Sequence, residues 1–283
     1  MLPRRPERAP VGRALLALLC CLLPGWLQAA ANGFAGGVTP SRFELRADAG
    51  TVLRRALDIY NLSDRPQRYQ IRTVDWRYSE DGQISFQDAL AANSCREWVR
   101  LERHEVGVVP DPKQPRSFRF EVHVPEDSPP RECRLALMIE NRTATYAAEF
   151  ADGSISMPIA GRIAVIVYLG IGAVEPELQI GDVSVQPFAQ GTLPALAVRN
   201  LGTAHGRLDS DLTAIGPDGK RVPVTIATSP ILPGQTRQLA LTPAPGTALQ
   251  YPLTITGRIY SDGKSIAIDQ DVAEPDQGLI ASQ

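Results

Sequence analysis

The chain has 283 residues, of which 43% are hydrophobic and 21% are charged, and its formal net charge is −2. A chain of this length suits two domains of ordinary size. The slightly acidic balance and the lack of a basic tract exclude the electrostatic footprint of a nucleic-acid-binding protein, so no nucleic acid partner is expected.

The first 31 residues have the organisation of an export signal. Four arginines lie within the first 13 residues, an apolar run covers residues 14–23, and Ala29–Ala31 offers a small-residue cleavage site. The run is short for a membrane span, so a cleavable signal peptide over 1–31 is predicted, with a retained anchor as the alternative. The leader carries a charge of +3, so its removal leaves 252 residues with a charge near −5. We expect an exported protein without membrane insertion.

Cleavage leaves one pair of cysteines. Cys20 and Cys21 leave with the leader, and Cys95 and Cys133 remain. In an oxidising compartment such a pair is predicted to form a disulfide bond. The alternative is two buried free thiols.

Short strand-like runs separated by Gly, Pro, Asn and Asp follow one another along the mature chain. About seven runs precede residue 170 and about seven follow it. This rhythm predicts an all-β protein with two immunoglobulin-like β-sandwich domains in tandem. The predicted domains are 32–170 and 171–275, followed by a flexible tail over 276–283. The predicted strands are 42–47, 52–60, 68–78, 98–103, 117–124, 134–139, 155–169, 178–186, 196–200, 208–215, 222–227, 236–241, 251–260 and 265–272.

Turn residues support this division. Asp81-Gly82, Asp218-Gly219 and Asp262-Gly263 are flanked by strand formers and are predicted hairpin tips. Asn61 and Asn200 each end an alternating strand, where a side-chain amide can satisfy the backbone groups of the following turn. The predicted core of the first domain consists of Phe43, Leu45, Leu57, Ile59, Tyr69, Ile71, Trp76, Trp98, Phe118, Phe120 and Val122.

The stretch 154–169 is predicted to be one long strand. Apolar residues alternate along it, and Pro158 cannot donate a ladder hydrogen bond, which favours a sheet edge. An apolar edge strand can bind an extended segment by strand addition. The alternative is an ordinary core strand of a sandwich. The candidate donor residues are Ile155, Met157, Ile159, Ile163 and Val165.

The sequence carries little that indicates catalysis. His104, His123 and His205 are isolated and form no metal-spaced pair, and no nucleophile elbow or phosphate loop is present. Asp75 is interpreted as a solvated acid near a hairpin tip. We therefore expect no enzyme activity, no catalytic residue, no metal and no cofactor.

Two arginines have a suggestive placement. Arg42 begins the first predicted strand and Arg162 lies in the last strand of the first domain. First and last strands are neighbours in such a sandwich, so both guanidiniums can point into the cleft between the domains. Two converging arginines would make a carboxylate clamp. The alternative is that each is a surface arginine, or that one bridges the domains by an ion pair.

Several segments together resemble the PapD-like periplasmic chaperones of pilus and fimbrial assembly. Val38–Leu45 is similar to the family's first strand with its arginine, and AGRIAVIVYL is similar to its donor strand, with Arg162 in the place of the family's basic residue. Tyr168 is followed by Leu169-Gly170, where the family usually has arginine-proline, which makes the chain a divergent member. The other similar segments are 57–71, 98–137, 196–208 and 231–241.

The resemblance implies a boomerang of two immunoglobulin-like domains that binds pilin-like subunits lacking a final strand. Arg42 and Arg162 would hold the subunit's terminal carboxylate, and the alternating residues of the donor strand would fill its open groove. The further implied partner is an outer-membrane usher, with self-association as a possibility when no client is bound. The alternative function is a structural or adhesive exported protein of the same fold without chaperone activity.

Overall fold

The computed structural model describes residues 36–79, 83–91, 94–142, 146–149, 156–159 and 161–274, with backbone only for 146–149 and 156–159. Residues Phe34–Gln283 form one compact unit. The predicted signal peptide, the Asp81-Gly82 turn, Ile155 and the predicted tail lie outside the described residues. No helix in the described part of the chain is long and apolar enough to cross a membrane.

Two facing sheets form the first half of the chain. One has the strand order β1-β3-β8-β6, and the other has the order β2-β12-β9-β4, with β5 and β7 on opposite ends of β4. This is the order of an immunoglobulin sandwich, as predicted. The bounds are β1 Gly36–Thr39, β2 Arg42–Ala47, β3 Val52–Asn61, β4 Gln67–Tyr78, β5 Ile84–Gln87, β6 Val99–Leu101, β7 Glu105–Val108, β8 Arg116–His123, β9 Arg131–Asn141, β10 Tyr146–Glu149, β11 Ser156–Ile159 and β12 Arg162–Ile171, with one 3-10 turn at Arg96–Trp98.

The first two strands belong to different sheets. β1 pairs antiparallel with β3, and β2 pairs parallel with β12, with Arg42 opposite Ile166. The chain therefore crosses from one sheet to the other between Thr39 and Arg42. The expectation that the first and last strands of this half are neighbours is confirmed.

A second sandwich follows. β13, β14 and the first part of β17 form one sheet, and the last part of β17 pairs with β16 in the other, whose order continues β15-β18-β19. The Gln270 side chain accepts a hydrogen bond from the Val183 N–H at 2.6 Å and so ties β19 to β13. The bounds are β13 Leu178–Phe188, β14 Gly191–Asn200, β15 Asp209–Ile215, β16 Arg221–Ile226, β17 Thr236–Pro243, β18 Leu253–Ser261 and β19 Lys264–Val272.

The sheet that contains β12 is covered on both faces. Its inner face joins the core of the first sandwich through Val165, Val167 and Leu169. Its outer face forms a second apolar cluster that includes Leu232 from the second sandwich. A strand buried on both sides has a continuous apolar sequence rather than an alternating one. The outer cluster consists of Val74, Trp76, Ala136, Met138, Tyr168 and Leu232.

This arrangement corrects the predicted core at two positions. Trp76 is buried but packs in the outer cluster, where its indole N–H donates to the Leu135 carbonyl at 3.2 Å. Trp98 is only partly buried against the inner core. The other nine predicted core residues are buried in that inner core.

The single long strand predicted over 154–169 is wrong. The described residues form β11, which pairs with β10, and β12, which pairs with β9. Tyr146 faces Ile159 in one hairpin and Glu140 faces Arg162 in the other, so the register shifts by three residues between them. Gly161 lies at the break outside both strands.

The predicted asparagine turns are confirmed in both sandwiches. The Asn61 amide donates to the carbonyls of Arg65 at 2.7 Å and Val108 at 3.0 Å. The Asn200 amide donates to Ala204 and Ile231 in the same way, both at 2.8 Å. Both side chains are fully buried, so each amide replaces backbone pairing that the turn lacks.

The predicted Cys95–Cys133 disulfide is present, with a Cα–Cα distance of 6.1 Å. Both residues are buried in the inner core. Cys133 lies in β9, and Cys95 precedes the 3-10 turn. The bond therefore attaches the 94–98 segment to the sheet that contains β9.

Replacement of both cysteines by alanine is expected to lower the free energy of unfolding by about 4 kcal/mol, because the bond closes a loop of 38 residues in the unfolded chain. Denaturant unfolding of the oxidised protein and the double variant measures the difference. An unchanged unfolding midpoint would contradict the prediction.

Candidate functional site

The first four residues of β12 have an unpaired side. Arg162–Val165 pair with β9, but none of the described strands is hydrogen-bonded to their other side, because β2 begins only opposite Ile166. The Ile166 N–H donates to the Ser41 carbonyl at 3.3 Å, which fixes the direction of the backbone groups. Since these groups alternate along a strand, the N–H and C=O of Arg162 and Ala164 point to the open side. We call Arg162–Val165 the open edge.

The open edge ends where β2 starts. Four residues of a strand span about 13 Å, so an added segment has room for about four residues before it meets Ser41. An added strand in line with β2 would run parallel to β12, as β2 does.

The two predicted clamp residues lie on one face of this sheet. Arg42 is opposite Ile166, and Arg162 lies four residues earlier in β12, which is about 13 Å along the strand. On this face of β12, Ala164 lies between Arg162 and the level of Arg42. The Arg42 Nε is 2.8 Å from Glu44 Oε1, and both of these side chains are 47% exposed. The Arg162 side chain is also exposed.

The predicted donor residues have different surroundings. Met157 and Ile159 lie in β11, opposite Ala148 and Tyr146 of β10. Ile163 is half-buried. Val165 is fully buried in the chain's own inner core, so its side chain cannot enter a partner's groove, and its assignment as a donor residue is corrected.

Beside the open edge, the two sandwiches contact each other through an aromatic and ionic cluster. Tyr168 stacks on His205, with ring centroids 3.8 Å apart and an interplanar angle of 21°. Glu132 Oε2 lies 2.6 Å from His205 Nδ1 and accepts the His205 backbone N–H at 2.9 Å. The Glu132 side chain is only 3% exposed, so this contact is shielded from water.

Glu44 extends this cluster toward the surface. Its Oε1 lies 3.5 Å from Arg207 Nε and 3.6 Å from His205 Nε2, in addition to Arg42. Glu44, Glu132, His205 and Arg207 line a cleft of about 180 Å³ between the sandwiches. We call these four residues and Arg42 the cleft cluster.

The linker between the sandwiches is bonded to both of them. Arg46 of β2 donates to the Val174 carbonyl at 2.9 Å and pairs with Glu175 at 3.0 Å. The Glu175 carbonyl accepts the Thr203 N–H at 2.9 Å. A Cβ on Gly202 would lie 2.4 Å from the Glu175 carbonyl oxygen, so only glycine permits this close approach.

Sequence reasoning missed Glu44, Glu132, His205 and Arg207, because their partners lie far apart in the chain. The available signal was the continuous apolar run of β12, which indicates burial on both faces. The interpretation of Asp75 as a solvated acid is wrong. Its side chain is buried and accepts hydrogen bonds from Ser94 Oγ at 2.7 Å and the Ala91 N–H at 2.9 Å, which fixes the segment before Cys95.

Nothing in the described ranges groups three His, Cys, Asp or Glu side chains that could hold a metal ion. His104 and His123 lie outside the cleft cluster, and His123 contacts Glu121 at 2.8 Å on the surface. Arg54 and His123 together lower the pKa of the Glu121 carboxyl.

No family model and no curated protein matches the chain. Among solved structures it is similar to the Pseudomonas aeruginosa CupB2 chaperone, with a TM-score of 0.44, 13% identity and coverage of 84% of this chain and 100% of that one. It is also similar to a structure of the CsuC–CsuE chaperone–tip adhesion subunit complex of Acinetobacter baumannii (0.43, 13%, 85% and 99%) and to the E. coli chaperone DraB (0.41, 17%, 84% and 98%). These likenesses are weak, since all three TM-scores lie below 0.5.

Burial raises the pKa of the Tyr168 phenol to about 12, and burial likewise raises that of Tyr251 to about 12. The folded state therefore holds these protons more tightly than the unfolded state, whose phenols ionise near pH 10. We expect the contribution of Tyr168 to stability to be constant below about pH 10 and to fall by roughly 3 kcal/mol as the pH rises through about 12. The contribution of Tyr251 should fall in the same direction by less, because this half-exposed phenol is screened by solvent. Urea unfolding across this range should show a shallower decline for Tyr168→Phe, and a shallower one still for Tyr168→Phe with Tyr251→Phe. A decline of unchanged slope in both variants would contradict the assignment.

Proposed function

We propose that this protein is a periplasmic chaperone of the PapD-like class, which binds pilin-like subunits by strand addition and delivers them to an outer-membrane usher. The observation that carries the proposal is the open edge at Arg162–Val165, which lies beside the first residue of β2. Its unpaired backbone groups can form hydrogen bonds with an extended segment of any sequence, so the edge can bind a partner without catalysing a reaction. The proposed activity needs no catalysis, cofactor or nucleotide.

The limited length of the open edge determines which end of the partner binds there. A segment parallel to β12 would meet Ser41 after about four residues and must end or turn away. If it ends, its terminal carboxylate lies next to the guanidinium of Arg42. A guanidinium donates paired hydrogen bonds to a carboxylate, so Arg42 favours a partner whose chain ends at this point.

The donor segment would extend this edge toward β11. Within the described part of the chain, β11 pairs only with β10, and the proposal assigns its other side to the partner. Residues 155–159 would then supply side chains to the partner's groove, and Arg162, at the junction with β12, would add a second cation. Pro158 removes one donor from this segment, which makes the open edge of β12 the principal site of backbone pairing.

The proposal makes a prediction about the two cations, Arg42 and Arg162. Arg42→Ala together with Arg162→Ala is expected to leave folding unchanged, because both side chains are exposed, but to abolish capture of a pilin-like subunit. Co-expression with candidate subunits, followed by pull-down from the periplasm, measures capture. Arg221→Ala with Arg258→Ala, on the second sandwich, is the charge-matched control. Equal capture by the clamp variant would support a structural or adhesive role instead.

The second prediction concerns the backbone. Ala164→Pro removes an N–H that points to the open side and breaks no bond to β9, so the protein should fold while losing at least tenfold in affinity for the subunit. Ala164→Ser keeps the N–H and controls for the side chain. Subunit affinities of the two variants and circular dichroism of the free proteins give the comparison. Equal affinities in the two variants would exclude strand addition at this edge.

A further inference from the structure

One carboxylate oxygen in the cleft cluster faces three basic side chains. Glu44 Oε1 is 2.8 Å from Arg42 Nε, 3.5 Å from Arg207 Nε and 3.6 Å from His205 Nε2. Arg42 belongs to the first sandwich, whereas Arg207 and His205 belong to the second. A half-exposed carboxylate does not need three such partners, because water already solvates it.

Arg207 is held in place by contacts other than Glu44. Its Nη1 donates to the Thr228 carbonyl at 2.7 Å and its Nη2 to the Tyr168 hydroxyl at 3.5 Å. The guanidinium also lies over the Tyr168 ring, 5.7 Å from its centroid. Its buried Nε makes no hydrogen bond with any described residue. Arg207 therefore keeps its positive charge beside Glu44, whether or not Arg42 remains bound to Glu44.

Arg42 has no such second anchor among its described contacts. Its ion pair with Glu44 joins two exposed side chains two residues apart on β2, and pairs of this kind are worth little. Arg42 is also the residue beside the end of the open edge. The same guanidinium is thus bound to Glu44 in the free protein and required by a terminal carboxylate in the complex.

We propose that Glu44 is an internal competitor for Arg42, and that Arg207 and His205 hold Glu44 when a partner's terminal carboxylate takes Arg42 over. This rests on the proposed function and refines it. Glu44 and Arg207 are positioning residues, which set how strongly the site prefers a chain that ends in a free carboxylate. Without Arg207, Arg42 leaves Glu44 less readily, because its departure leaves the negative charge of Glu44 without Arg207 to offset it, and that charge repels the incoming carboxylate.

The test uses two tetrapeptides that match the length of the open edge, acetyl-Thr-Val-Thr-Val with either a free carboxylate or a carboxamide end. NMR titration of the Ala164 amide gives the Kd of each, and the ratio of amide to acid Kd measures carboxylate preference. We expect Glu44→Gln to raise this ratio by about three- to tenfold and Arg207→Gln to lower it by a similar factor. Arg207→Lys keeps the charge and should stay near the original ratio.

The second ion pair on the same face supplies matched controls. Glu175→Gln and Arg46→Gln make the same charge changes in a pair that does not contact Arg42, so they should leave the ratio unchanged. Because the ratio compares two ligands on one protein sample, it does not depend on the folded fraction of a weakened variant.

Three outcomes separate the possible errors. Suppose that the ratio is above one in the unsubstituted protein and that Glu44→Gln leaves it unchanged or lowers it. This result overturns the competitor role alone. A ratio of one in the unsubstituted protein overturns the carboxylate clamp of the proposed function and the competitor role with it. No shift of the Ala164 amide with either peptide, up to their solubility limits, overturns both strand addition at this edge and the inference that rests on it.

Discussion

Backbone hydrogen bonding is the constraint on which the rest of this structure depends. A strand can pair with one neighbour on each side, and the first strand of the sandwich is divided between two sheets, as β1 with β3 and as β2 with β12. Among the described strands, this division leaves the start of β12 with a pairing partner on one side only. A protein that kept such an edge without a use for it would risk uncontrolled association. Here the open edge ends beside Arg42, which belongs to the cleft cluster.

The cleft cluster exists because β12 is covered on both faces. Val165 and Val167 pack inward, while Tyr168 packs outward against His205 and the outer apolar cluster reaches Leu232 of the second sandwich. One strand therefore carries the inner core, the contact between the sandwiches and the open edge. Arg42 and Glu44 lie on the neighbouring strand, so the residue at the end of the open edge is in direct contact with the charges of the cleft.

Local sequence signals predicted much of this fold. Asn61 and Asn200, the two cysteines and the Asp-Gly tips at 218–219 and 262–263 each specify a turn or a link through chemistry that does not depend on distant residues. The predictions that were wrong share the opposite cause, because they concern residues whose surroundings depend on distant parts of the chain. Asp75 is buried by Ser94 and Ala91, Trp76 faces the second sandwich, and β11 turns back onto β10, and each of these depends on which segment happens to lie opposite. The cleft cluster was missed for the same reason, since Glu44 and Arg207 are 163 positions apart in the chain.

The linker has a mechanical consequence. The ion pair between Arg46 and Glu175 attaches the linker to the first sandwich, and Gly202 lets it lie directly on the second. Both ends of the linker are therefore held in place. A linker that is bonded to both sandwiches couples their positions. A displacement of the second sandwich is therefore passed through the linker to β2, and through the pairing of β2 to β12.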